Sequence, residues 1–334
     1  MRPERGSGHL PEQPATIGDP AGRPAPTGDP TGRPATIGAA LEGTIARLRK
    51  SGSDTARLDA ELLVAHAVGT DRTGVLAHPE LALSPHAAGL LEGFVGRRER
   101  GEPVAYLRGI KEFHGLAFTV DARALIPRPD TELLVDIGAS RVVAALTAAP
   151  RGPGSDPIRV ADVGTGSGAV AVALAATLRR RRILGEIDLL ATDVSPDALA
   201  LAVENAAAHG LADAIRFAQA DLLPAGEPPF DLVLANLPYV PSGDLPRLPI
   251  AASFEPSLAL DGGADGLDTV RRLLALLPAA LRSPGTALLE IGAGEDDGLR
   301  AAAERALPGW ELTFHADLAG IPRVAELANG SARG

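Results

Sequence analysis

Seven short apolar runs punctuate the second half of the chain, at 158–163 (IRVADV), 187–193 (IDLLATD), 215–221 (IRFAQAD), 230–235 (FDLVLA), 285–291 (GTALLEI), 310–316 (WELTFHA) and 323–328 (RVAELA). Their length and aliphatic content predict buried strands. Helical segments separate most of them, one starting near Ala169. Strand and helix in alternation predict an α/β domain built on a doubly wound, mostly parallel sheet. The last two runs lack a long helix between them, which predicts one antiparallel strand at an edge.

The first half has another rhythm. From Leu41 to about Arg108 the apolar positions follow helical spacing, with Leu58, Leu62 and Ala65 as one stripe and Gly69 and Gly74 punctuating the loop that follows. A small helical bundle is expected. Residues 110–130 alternate apolar and polar side chains around Phe113, Leu116, Phe118 and Val120, as a hairpin or extended connector does. Pro127 and Pro129 fix an extended passage into a helix over Glu132 to Ala145. At 18–37 the chain repeats itself, GDPAGRPAPT then GDPTGRPATI, in residues that bury too little apolar surface to offset their ordering entropy. The expected organisation is a disordered tail at 1–38, a helical domain at 39–108, a connector at 109–130 and the sheet domain at 131–334.

Composition narrows the function. The formal charge of −10 and pI near 5.2 argue against a broad basic face for nucleic acid. The run Arg179 to Arg182 reads as cations closing the C-terminal turn of the helix begun at Ala169. With no cysteine there is no disulfide, thiolate metal site or Cys nucleophile. Histidines 9, 66, 78, 86, 114, 209 and 315 show no metal-ligand spacing, so no metal is expected. MRPERGSGHLPEQP lacks an apolar signal-peptide core, and no apolar run reaches the ~20 residues of a membrane helix. A cytoplasmic protein without a membrane partner is expected.

In doubly wound sheets ligands sit outside the carboxyl ends of the strands, where strand order reverses. Four loops meet that rule. DVGTGSGAVAVALA (162–175) passes from a strand through Gly164, Thr165, Gly166, Ser167 and Gly168 into a helix, and its glycines let a ligand approach the backbone. Asp193 ends the next strand, where a carboxylate can accept both hydroxyls of a ribose. Asp221 with Leu222 suits the edge and face of an adenine. The fourth loop is Asn236-Leu237-Pro238-Tyr239.

Gly164, Gly166 and Ala169 also satisfy the dinucleotide fingerprint, which keeps an NAD enzyme among the readings. Asp162 argues for another cofactor, because a carboxylate beside the glycines repels a pyrophosphate but suits the cationic amino group and sulfonium of S-adenosylmethionine. Asn-Leu-Pro-Tyr taken alone is also a capped turn. Beside the other three loops it suits a planar amide or aromatic amine: the Asn236 side-chain oxygen and the Leu237 carbonyl each take one N–H, Pro238 stiffens the loop, and the Tyr239 ring packs on the plane. Such a site needs no general base, since the proton can leave after the methyl has moved.

Together with these residues, EPVAYLRGIKEFHGL (102–116), LIPRPDTELLVD (125–136), ANLPYV (235–240) and FEPSLALDGGADGLD (254–268) occur in an order that resembles the HemK/PrmC family of protein-(glutamine-N5) methyltransferases. The resemblance runs from about Leu58 to Leu327. It implies a class I methyltransferase (Rossmann-like) seven-stranded sheet preceded by a small helical domain that helps dock the substrate. It further implies methyl transfer from S-adenosylmethionine to the glutamine amide in the Gly-Gly-Gln loop of class I peptide chain release factors. Carried onto this chain, Gly164 to Gly168 and Asp193 bind the cofactor and Asn236 to Tyr239 hold the glutamine. Phe113 and Arg128 fall in family segments without an assigned role, and Asp261 to Gly266 reads as an ordinary Gly-rich turn. Leu237 stands where the family usually has proline, and Asp130 where it usually has Glu.

Asn-Leu-Pro-Tyr is also similar to the motif of adenine-N6 methyltransferases, so methylation of RNA or DNA is the rival reading. A non-catalytic scaffold that binds the cofactor and recruits a partner is a third. The acidic balance and the segment 102–136 favour the protein substrate, with a monomer and no stable nucleic-acid partner expected.

Overall fold

The computed structural model describes residues 35–148 and 155–330. The expected tail at 1–38 therefore lies mostly outside the described residues, but its last positions do not. Thr36 caps the first helix, α1 (Ile37–Lys50), its hydroxyl accepting the Ala39 N–H at 3.2 Å. Ile37 is already buried there.

Contacts divide the chain into two compact units, up to Val95 and from Gly96. The first holds α1, α2 (Ala56–Val68), α3 (Arg72–Ala77) and most of α4 (Pro85–Glu99). Of the stripe expected on α2 only Ala65 is fully buried: Leu58 is exposed and Leu62 half-buried, while Ala60, Leu63, Val64 and Ala67 join Ala65 inside. The helix is rotated because Glu61 also turns inward, where its carboxylate receives Arg57 at 3.0 Å and Arg72 at 2.6 Å.

The second unit opens with α5 (Val104–Arg108) and the hairpin β1 (Ile110–Phe113) and β2 (Leu116–Thr119). His114 and Gly115 make its turn, both at positive φ, and Phe113 meets Phe118 edge to face with ring centroids 6.0 Å apart. An extended stretch then leads into α6 (Glu132–Ala148).

The remaining elements are β3 (Ile158–Val163), α7 (Ala169–Arg180), β4 (Ile187–Asp193), α8 (Pro196–Ala208), β5 (Ile215–Gln219), β6 (Phe230–Ala235), α9 (Asp268–Ala280), β7 (Leu281–Glu290), α10 (Asp296–Ala306), β8 (Glu311–Ala316) and β9 (Pro322–Asn329). Their sheet has the order β5-β4-β3-β6-β7-β9-β8. Inward side chains alternate along β3: Ile158 and Val160 join α6 and α7 in one core, Ala161 and Val163 join α9 and α10 in the other.

Two expectations change. The antiparallel strand is β9, which pairs with both β7 and β8 and so lies inside the sheet; the edge strand β8 runs with the others. A direct β8 to β9 hairpin, with its turn around Asp317 and Gly320, inserts the last strand between two parallel neighbours. The strand expected at 215–221 ends at Gln219, with the Ala220 N–H making the last bond to β4 at the Asp193 carbonyl, so Asp221 falls in the loop beyond it. At the C-terminus of α7, Arg179 donates to the carbonyls of His209 and Gly210, so this cation also closes the end of α8.

Candidate functional site

The chain runs β3, β4, β5 outward and then returns to place β6 on the other side of β3. The loops after β3 and β6 diverge from this switch point, leaving a crevice between them. Gly164, Thr165, Gly166 and Ser167 line a cleft there together with Asp193, Asp221, Leu222, Asn236, Leu237 and Pro238. All four loops singled out in the sequence meet in it.

The glycine loop fits against its neighbours only without side chains. Gly164 and Gly166 have φ of 71° and 55°, and a Cβ on Gly164 would come within 3.0 Å of Leu237 Cδ2. Gly168 sits behind the loop, where a Cβ would meet Ala202 at 3.0 Å. It fixes the packing of α7 on α8 and does not line the cleft. Asn205 of α8, buried, donates to the carbonyls of Ser167 and Thr119 and accepts the Thr119 N–H at 2.8 Å. An asparagine amid alanines in VENAAAHG was the available signal for this strut between loop and hairpin.

Asp162 also lies beneath the cleft and not in its wall. It is 1% exposed, and its Oδ2 accepts the Thr165 hydroxyl at 2.6 Å and the Ala171 N–H at 3.1 Å. Burial pushes its carboxyl up to about 6, against the pull of those two hydrogen bonds, with the nearby Asp193 charge adding to the rise. The direct contact with a cationic ligand expected for Asp162 is replaced by a structural one: it braces the turn from β3 into α7.

Asp193 reaches the cleft and also holds it. Its Oδ2 accepts the Gly166 N–H and its Oδ1 the Ser195 N–H, both at 2.9 Å. Each oxygen keeps a lone pair for a ligand hydroxyl. Asp221 is ion-paired to Arg272. Leu222 takes φ of 69°, an uncommon conformation for a branched side chain, and the Thr192 hydroxyl donates to its carbonyl at 2.7 Å. Its side chain thereby becomes a floor of the cleft.

Asn236 lines this cleft and a second, adjoining cavity, whose walls include Tyr239, Val240, Leu248, Pro249, Ala252 and Leu260. Its Nδ2 donates to Thr131 Oγ1 at 3.1 Å, which leaves Oδ1 as the amide's remaining polar atom. Leu237 points its side chain into the core beside Gly164, so only its backbone carbonyl is available to a ligand in the way the sequence suggested. Tyr239 belongs to the second cavity alone; burial and the Glu290 carboxylate push its hydroxyl above its ordinary pKa.

Three features have no role legible in the sequence. Arg128 and Leu125 line both cavities, and Glu255 closes the second, with Oε1 on Arg128 Nη2 at 2.6 Å and Oε2 on the Ile126 N–H at 3.1 Å. The turn from Asp261 to Gly266 is not an ordinary one: a Cβ on Gly266 would fall 2.3 Å from the Tyr239 carbonyl, and Val240 exchanges backbone bonds with Leu260 and Gly262. Finally, Glu290 is buried beside Thr131 and Tyr239. Among the described residues no group of three or more His, Cys, Asp or Glu could hold a metal, and no helix is long and apolar enough to cross a membrane.

Residues 39–109 match the PrmC N-terminal domain and residues 160–250 a methyltransferase domain. The release factor glutamine methyltransferase of Moorella thermoacetica is 40% identical over 80% of this chain and 89% of its own length. That of Geobacter sulfurreducens is 38% identical over 78% and 85%. The solved catalytic domain of hMettl16 shares the fold at 16% identity, with a TM-score of 0.50 over 66% of this chain and 77% of that one. With glycine loop, acidic strand ends and Asn-Leu-Pro-Tyr gathered at one switch point, and with relatives this similar along most of their length, the chain belongs to the release factor glutamine methyltransferase family.

Proposed function

We propose that this chain transfers a methyl group from S-adenosylmethionine to the side-chain amide nitrogen of the glutamine in the Gly-Gly-Gln loop of a class I peptide chain release factor. The observation that carries the reading is the place of Asn236, at the junction of two cavities with its Nδ2 already engaged by Thr131. One cavity suits the cofactor and the other the substrate side chain.

The glycine loop fits that cofactor, since Gly164 and Gly166 hold a positive-φ turn that lines the first cavity without side chains. Gly164 to Ser167 form the cradle, Asp193 takes the ribose hydroxyls, and Leu222 and the backbone of Asp221 receive the adenine. When bound, S-adenosylmethionine supplies an electrophilic methyl on a sulfonium. The protein's task is then to present a weak nucleophile. Asn236 Oδ1 and the Leu237 carbonyl accept the two N–H groups of the glutamine amide, so that its nitrogen faces the first cavity. Pro238 limits the movement of that carbonyl, and Tyr239 packs on the amide plane. The apolar remainder of the second cavity covers the glutamine's methylene groups and excludes water.

A protein substrate fits better than a nucleic acid. Each of the three arginines lining the first cavity already faces a carboxylate: Arg123 with Asp121 and Glu204, Arg128 with Glu255, and Arg272 with Asp221. They offer no free row of cations for phosphates. A cytoplasmic monomer, in which the helical unit docks the release factor, completes the reading.

The test is methyl transfer from labelled S-adenosylmethionine to a purified class I release factor and to the same factor with its Gly-Gly-Gln glutamine replaced by alanine. Label on the first alone is expected. Equal label on both would contradict the assignment.

A further inference from the structure

Glu290 ends β7, one residue beyond Leu289, which pairs with Ala235 of β6. The same step along β6 leads to Asn236. The buried carboxylate and the amide thus emerge side by side from neighbouring parallel strands. Thr131, 3% exposed in the short turn before α6, stands with both: its Oγ1 receives Asn236 Nδ2 at 3.1 Å, and its side chain adjoins the Glu290 carboxylate. Glu290 itself is 3% exposed, and its Oε2 has no partner among the described residues.

We infer that Thr131 and Glu290 are positioning residues for transfer, acting as a relay that holds the Asn236 amide with Oδ1 toward the substrate. The inference rests on the proposed function and deepens it. A hydroxyl has one hydrogen to give. When Thr131 gives it to the Glu290 carboxylate, its oxygen can only accept from Asn236, and the only group Asn236 can offer is Nδ2. The opposite amide orientation would turn Nδ2 toward the substrate and set donor against donor, which a glutamine N–H cannot use.

The relay depends on the charge of Glu290. If that carboxyl carries a proton it can donate to Thr131, which frees the threonine hydrogen to bond Asn236 Oδ1 and reverses the amide. Burial pushes Glu290 up to about 7, with the neighbouring Thr131 hydroxyl opposing it. The charged groups around it are Asp130 and Arg128 from the segment before α6 and Arg323 from β9; Tyr239 faces it from the loop after β6. Of these, Asp130 raises the pKa and the two arginines lower it. Above the pKa the relay is set for transfer, and below it the amide is free to turn.

The experiment measures kcat, the KM for a release factor and the cofactor Kd for the wild type, Thr131→Val, Thr131→Ser and Glu290→Gln between pH 6 and 8.5. Thr131→Val keeps the shape and loses the hydroxyl: kcat should fall about tenfold or more, with cofactor Kd within about twofold. Thr131→Ser restores the hydroxyl and should recover most of the rate, which a packing role would not do. The wild-type kcat should decline as pH drops through about 7, and Glu290→Gln, which keeps an acceptor but cannot titrate, should be flat over that range. Wild-type turnover in Thr131→Val, or a Thr131→Ser enzyme as slow as Thr131→Val, overturns the relay. Absence of wild-type transfer to the release factor overturns the proposed function itself, and the two failures are read separately in the one assay.

Discussion

Glu255 Oε1 holds Arg128 Nη2 at 2.6 Å while its Oε2 holds the Ile126 N–H, so a single buried carboxylate ties the loop after β6 to the stretch before α6. Both walls of the second cavity hang on it. Glu255→Ala leaves a buried N–H and a half-exposed cation unpaired, a loss of about 1–3 kcal/mol after allowance for solvent around Arg128. The expected result is a lower melting temperature and a KM for the release factor raised more than the cofactor Kd. Steady-state kinetics with calorimetric cofactor binding separate the two effects.

Gly164→Ala should damage cofactor binding specifically. The added methyl sits at φ of 71° and 3.0 Å from Leu237 Cδ2, so the glycine loop and the loop after β6 must part to receive it. Cofactor affinity is expected to fall about tenfold or more. Isothermal titration is the check, and unchanged affinity would remove the loop from the cofactor site.

Asp162 gives stability a pH signature. Its folded pKa, about 6, lies above the ordinary value of 3.8. The folded state therefore binds the proton more tightly than the unfolded one, and the carboxyl's unfavourable contribution grows as pH rises from about 4 to 6 and then levels. Asp162→Asn keeps an acceptor for Thr165 and Ala171 without the buried charge. Its melting temperature relative to wild type should climb across that window by the equivalent of about 1–3 kcal/mol. A difference independent of pH would show that Asp162 is not desolvated.

Strands and glycine loop were legible because their signals are local: an aliphatic run of five to seven residues, or glycines between a strand and a helix. The phase of α2 is not legible, because Glu61 reads as a surface residue until two arginines are seen to reach it. For Asp162 the sequence shows that a carboxylate adjoins the loop and cannot show that it faces inward. Thr131, Glu255 and Glu290 were illegible for another reason. Thr131 meets Asn236 across 105 positions and Glu255 meets Arg128 across 127, so no spacing rule links them. Only the sheet order brings them together.

The first helix sets a limit on trimming. Removing residues 1–34 should leave transfer intact, since Thr36 and Ile37 remain to cap and anchor α1. Removing 1–38 takes both away and should cost about 1–3 kcal/mol through the lost cap and buried side chain. Thermal melts of the two truncations, with turnover measured alongside, make the comparison.

Transfer turns on Asn236, and the most direct test is mass spectrometry of a class I release factor after incubation with S-adenosylmethionine and either the wild-type enzyme or Asn236→Ala. The expected result is one methyl on the glutamine of the Gly-Gly-Gln loop with the wild type, and almost none with the variant although it still binds the cofactor. A methyl at any other residue, or full methylation by Asn236→Ala, would contradict it.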